Sequence, residues 1–153
     1  MAEDDMDLGE MMRSGVAVVV ATTATDGHPA ITRGWGPSYD EGSAVFRLAV
    51  AAPEGSDTLA NLRSTGVIAV TVSEPLTYRT AQFKGSVGAI DVPSEADRAA
   101  ALEHLGRFVA DVVQLGIEDG VDRMFVGDLC MVSFATDELY DQTPGPDAGK
   151  RLR

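Results

Sequence analysis

Two runs of strand-forming residues separated only by Ala24-Thr-Asp-Gly-His-Pro29 constrain this chain more than any other feature. Val16 to Thr23 is an almost unbroken β-branched run, which reads as a strand buried on both faces. Asp26-Gly27 is a strong hairpin signal, and a connection this short can join only antiparallel neighbours. Ala30 to Trp35 resumes the strand, Asp40-Glu-Gly-Ser43 turns it, and Ala44 to Val50 returns. The first fifty residues therefore predict an antiparallel meander.

After the break at Pro53-Glu-Gly-Ser56, Ser56 or Asp57 can cap a short helix through Leu59 and Leu62 that ends at Gly66. Val67 to Val72 reads as a fourth strand, and a fifth runs on to Val92. In that fifth strand Ala81, Phe83, Val87 and Ala89 share one parity, predicted as interior. Tyr78, Thr80, Gln82, Lys84 and Ser86 share the other. Pro93-Ser94 opens the one long helix, over residues 94–115, with Asp97 placed as in a capping box. Its apolar positions Ala101, Leu102, Leu105, Phe108, Val109 and Val112 recur at spacings of three and four, leaving His104 on a partly exposed flank. Met124 to Phe134 reads as a last strand, residues 1–14 hold a short N-terminal helix, and 138–153 read as an irregular tail. Six strands in one 153-residue domain, several in hairpin succession, predict a small antiparallel barrel filled by side chains.

Bulk chemistry removes several functions. Acids outnumber bases 24 to 12, a net charge of −12, which argues against a nucleic-acid partner. The longest apolar run, Val16 to Ala21, is far short of the roughly 20 residues that a membrane span requires, and the acidic start is unlike a secretion signal. The expected compartment is the cytoplasm. Cys130, the single cysteine, reads as a core residue, and with only His28 and His104 beside it no ordinary zinc site forms. His28 reads as an exposed turn residue. The acids Glu118, Asp119, Asp122 and Asp128 read as a solvated loop without calcium-loop spacing.

Three features remain as candidates for chemistry. Thr32-Arg-Gly-Trp-Gly36 places Arg33 and the only tryptophan between glycines that admit a close approach, or that mark a bulge. Ser56-Asp-Thr58 opens a helix, where anions are attracted, although plain capping explains it as well. The polar parity of the fifth strand carries long hydrogen-bonding side chains in succession.

In order and spacing these segments resemble the FMN-binding split-barrel family of pyridoxamine 5'-phosphate oxidase. The resemblance rests on residues 18–29 followed by Arg33, on Asp40-Glu-Gly-Ser-Ala-Val-Phe46, on Asn61 to Val70, and on Tyr78-Arg-Thr-Ala-Gln-Phe-Lys-Gly85. It implies a six-stranded split barrel working as a homodimer, with FMN in a groove between subunits, and oxidoreductase chemistry on a small molecule. By position it nominates Arg33, Gly34, Trp35, Ser56, Thr58, Thr80, Gln82 and Lys84 for the cofactor. The family's Ser-Arg-Lys phosphate clamp is matched by Ser56-Asp57-Thr58, which keeps the serine and lacks both cations. Arg33, Arg63 or Lys84 would have to compensate, and a member other than the oxidase itself is implied. A non-catalytic ligand-binding or sensory module is the alternative. Deazaflavin or haem in the same groove is another; haem would need His28 or His104 as its axial ligand.

Overall fold

The computed structural model describes residues 6–124 and 126–153. Helix α1 (Leu8–Arg13) leads into strands β1 (Ala17–Thr23), β2 (Pro29–Asp40) and β3 (Val45–Ala51). Helix α2 (Asp57–Ser64) precedes β4 (Val67–Ser73) and β5 (Thr80–Asp91). Helix α3 (Glu95–Gln114), a single 3-10 turn (Val121–Arg123), β6 (Leu129–Asp141) and β7 (Lys150–Arg151) complete the chain. The strands run in the order β3-β2-β1-β4-β5-β6, every pairing is antiparallel, and β6 pairs back onto β3. That closure makes the predicted six-stranded barrel, with β7 an added edge on β6.

The first hairpin closes through Ala24 and His28, with Thr25-Asp26-Gly27 as its loop. Gly27 holds φ +89°, the left-handed conformation that this three-residue loop requires. Inside the barrel, Phe46 lies 5.4 Å from Phe134 and 4.7 Å from Phe83 between ring centroids. Leu8, Met11 and Met12 of α1 join the same core, as do Leu59 and Leu62 of α2. Cys130 is buried there too, and burial pushes its thiol pKa up.

Several expectations are corrected. β1 is buried on one face only: Val18, Val20 and Thr22 point inward, while Val19 on the other face is 39% exposed. In β5, Ala81 and Phe83 are interior as predicted. Val87 also packs against the core as predicted, since the register shift after Lys84 places its extra residue, Asp137, on β6. The shift after Val87 places Gly88 on β5 and exchanges its faces, so Ile90 packs against the core and Ala89 is exposed. Each bulge inserts one unmatched residue, which strict alternation does not anticipate. The last strand begins at Leu129 and continues through Asp141, so residues 138–141 are strand and only the segment between Asp141 and Lys150 is turn-rich. Asp137 and Glu138 look loop-like by composition, yet they lead directly into the inward-facing Leu139.

Helix α3 lies outside the barrel against β2 and β3, burying Ala101, His104, Phe108 and Val112. Leu102 is 60% exposed, and His104 takes its place in the buried stripe. The capping box forms as read: Ser94 Oγ accepts from the Asp97 amide at 3.1 Å, and Asp97 accepts from the Ser94 amide at 2.9 Å. Ser94→Ala is expected to cost about 1 kcal/mol in a urea melt. A loss below a few tenths would mean that the cap does not hold this helix start.

Candidate functional site

Because α3 covers β2 and β3 and the other helices join the core, an outer face spanning the first half of β2 and β1, β4 and β5 stays open. Register places one row of residues across it. Arg33 pairs with Val19, Val19 with Thr71, Thr71 with Gln82, and Gln82 with Tyr140. The next row runs Ile31, Ala21, Ala69, Lys84, Glu138 through the same pairings. Neighbouring strands are about 4.8 Å apart, so Arg33 and Gln82 stand roughly 14 Å apart along the backbone. Small residues fill the middle, and long polar ones stand at the ends.

The polar end is ordered by its own hydrogen bonds. Gln82 Nε2 donates to Thr71 Oγ1 at 3.2 Å, and the Thr80 and Ser73 hydroxyls share a 2.7 Å bond. Lys84 Nζ sits 5.1 Å above the Tyr140 ring, whose hydroxyl donates to Glu138. That bond pulls the Glu138 carboxyl pKa below its usual range and pushes the Tyr140 phenol up, so Tyr140 stays protonated.

At the β2 end the face deepens into a groove of about 720 Å³, lined by Val19, Ile31, Arg33 and Trp35 from the sheet and by Arg123 and Met124 beyond it. The Arg33 guanidinium lies 5.7 Å from the centre of the Phe108 ring. Trp35 is buried edge-on against His104 and Phe108. Its indole N–H has no hydrogen-bond partner among the described residues. A slightly larger groove, about 800 Å³, lies between Tyr39, the start of α1 and the β6–β7 tail, and contains none of the predicted site residues.

The predicted residues thus divide. Arg33 and Trp35 meet in the groove, and Thr80, Gln82 and Lys84 meet on the polar end of the open face. Ser56 and Thr58 line neither. The Ser56 hydroxyl is used in capping, accepting from the Leu59 amide at 3.3 Å, while Thr58 is buried. Gly34 faces the barrel interior, where a Cβ would sit 2.7 Å from Leu48 Cδ1 and 2.9 Å from Val18 Cγ1. Gly36, at φ +57°, forms the bulge on which α3 rests.

His104 is a second correction, being fully buried instead of partly exposed. Its Nδ1 accepts from the Gly36 amide at 3.1 Å and its Nε2 donates to the Val16 carbonyl at 2.9 Å. Both ring nitrogens are committed. His28 is an exposed turn residue paired with Asp26, as read. Sequence reasoning missed Arg123, hidden among acids that looked like a solvated loop, and Tyr140, placed in the supposed tail. Among the described residues no group of His, Cys, Asp or Glu could hold a metal ion, and no helix is long and apolar enough to cross a membrane.

No protein-family model and no curated protein matches the sequence. Solved structures do. A conserved hypothetical protein from Mycobacterium tuberculosis superposes with a TM-score of 0.56 at 20% identity, covering 89% of this chain and 82% of that one. An F420 reductase gives 0.52 at 15% identity, with 85% and 93% covered. A pyridoxamine 5'-phosphate oxidase-related, FMN binding protein from Nostoc punctiforme gives 0.51 at 10% identity, with 96% and 87% covered. At these identities the likeness is one of fold. The chain has the split-barrel fold of the pyridoxamine 5'-phosphate oxidase-like proteins, the fold its sequence resembles.

Proposed function

We propose that this protein is a homodimeric, cytoplasmic flavin-binding split barrel that takes FMN on its open face and carries out oxidoreductase chemistry on a small molecule. One observation carries the reading: the row Arg33, Val19, Thr71, Gln82, Tyr140 with its neighbour Ile31, Ala21, Ala69, Lys84, Glu138. Its small centre is a floor on which a planar fused ring can lie. Its ends offer the donors and acceptors that such a ring's polar edge needs.

The ring end fits and the helix start does not. Gln82, Lys84 and Thr80 would meet the ring's hydrogen-bonding edge, and Arg33 its other side. At α2, the Ser56 hydroxyl is spent on its own helix, Thr58 is buried and Asp57 adds negative charge, so that start is a poor phosphate cradle. When bound, flavin supplies the hydride or electron transfer itself. The chain's part is to orient the ring and to place the Lys84 cation beside it. Dimerisation is supported by the apolar groups that the same face exposes, Ile31 at 72% and Val67 at 51%.

Deazaflavin is the second reading, favoured by the likeness to an F420 reductase. Haem loses both histidine candidates, since His104 is spent on the backbone and His28 pairs with Asp26 in an exposed turn. Mixing FMN with the purified chain should quench flavin fluorescence at tens of micromolar, and Gln82→Ala should weaken binding roughly tenfold. An intact dimer that binds no FMN in that range refutes the FMN reading. Binding of deazaflavin alone would establish the second.

A further inference from the structure

We infer that the groove between β2 and the Val121–Arg123 turn is an oxyanion subsite, in which Arg33 and Arg123 receive the phosphate or carboxylate of an organic ligand. The charge pattern is the first argument. Arg47, Arg63 and Arg79 each sit within 2.8 Å of a carboxylate oxygen, and among the arginines without such a partner Arg33 and Arg123 are the two that line one groove. Arg33 and Arg123 form no ion pair among the described residues, and both line this one groove. Asp128, the single carboxylate lining it, is exposed and bridges to neither. Two guanidinium groups facing one cleft repel each other, and a bound oxyanion relieves that repulsion while accepting their forked donors.

Trp35 is the second argument. It is buried in the wall of the same groove, and its indole N–H lacks a partner among the described residues, an arrangement that costs stability. The floor supplies the third. Val19, Ile31 and Met124 are apolar, and Ile31 is the most exposed of them, so the cleft suits an anion carried on an apolar body. The cations absent from Ser56-Asp57-Thr58 are thus present at another place, the β2 end of the open face. The oxyanion chemistry stands without the flavin reading. That reading enters only in naming the source, which is the cofactor's own phosphate or a separate anionic substrate.

Trp35 is the only tryptophan, so intrinsic fluorescence reports on this groove directly. The full-length chain is titrated with sodium pyrophosphate against sodium chloride at matched ionic strength. A saturable Trp35 response specific to pyrophosphate is expected, weakened roughly 10- to 100-fold in Arg123→Gln and in Arg33→Gln. It should be unchanged in Arg63→Gln, which removes an exposed arginine already paired with Glu54. Absence of a response in the folded wild type overturns the proposal, as does an equal response in both groove variants. The same variants titrated with FMN and with riboflavin assign the source. A loss confined to FMN identifies the cofactor's phosphate, and equal affinities identify a separate anionic substrate. If neither flavin binds, the pyrophosphate arm still decides the oxyanion site by itself.

Discussion

Replacing His104 with leucine is expected to cost about 3–5 kcal/mol and to abolish part of the protein's pH dependence. Among the described residues the imidazole is the only side chain of α3 that bonds to two separate backbone positions, the carbonyl of Val16 before β1 and the amide of Gly36 in the β2 bulge. Leucine fills a similar volume but leaves both groups buried without partners, at about 1–3 kcal/mol each. It also removes the edge-on contact to Trp35 at 5.8 Å. For a chain of this size that loss lowers Tm by roughly 10 °C. The two bonds also set the protonation state: Nδ1 must accept, so the ring is neutral and carries its proton on Nε2. Burial, helped slightly by Arg107 and opposed by the Val16 carbonyl, lowers the pKa from 6.5 to about 4. The unfolded chain therefore takes up a proton below pH 6.5 that the native state refuses. Stability is full above pH 6.5 and falls by about 3 kcal/mol as the pH drops to about 4, below which this group adds nothing further. Urea melts of wild type and His104→Leu at pH 7.5, 6 and 5 should show a slope in the first that is missing from the second. Parallel pH profiles would mean that His104 takes up its proton in the native state as readily as in the unfolded chain.

This histidine marks where sequence reasoning runs out. A ring at position 104 beside Leu102 and Leu105 reads as an interruption of an apolar stripe, because nothing local reveals which backbone groups will need partners. Those groups, at Val16 and Gly36, are created by a linker and a bulge 88 and 68 residues away in sequence, respectively. What was legible is what local chemistry dictates: the Asp26-Gly27 hairpin, the Ser94–Asp97 capping box, the inward parity of Ala81 and Phe83, and the strand succession that closes into a barrel. The open face was half legible. The polar parity at Thr80, Gln82 and Lys84 stands in the sequence, but its alignment with Arg33 depends on three successive strand registers. Alternation could not show that Val19 is open on one side, since a β-branched run looks the same whether one face or both are covered. Arg123 was illegible because its significance lies in the groove it shares with Arg33, which is distant in sequence.

Gly85→Ala should be the most damaging single-methyl change in the sheet, costing about 4 kcal/mol. A Cβ at this position would lie 2.0 Å from the Ala135 carbonyl oxygen and 3.0 Å from Phe134 Cδ2. The oxygen belongs to the β5–β6 ladder and cannot swing aside as a flexible side-chain tip would. Relief therefore requires the strands to part where the register jumps from Lys84–Glu138 to Gly85–Thr136. Overpacking accounts for about 1–3 kcal/mol, and each ladder hydrogen bond lost adds about 1. Gly88 in the same strand is the control. A Cβ there meets the Ser133 carbonyl oxygen at 3.6 Å, an ordinary contact, so Gly88→Ala should change stability by less than about 1 kcal/mol. The two variants also differ at the open face. Parting the ladder at residue 85 displaces Lys84 from Tyr140 and Glu138, so flavin affinity should fall in Gly85→Ala even at temperatures where the variant remains folded, and hold in Gly88→Ala. Unfolding midpoints that agree within 1 kcal/mol for the two variants would show that the bulge does not bring Ala135 against Gly85. A Gly85→Ala protein that is destabilised but binds flavin normally would detach the polar end of this face from cofactor binding.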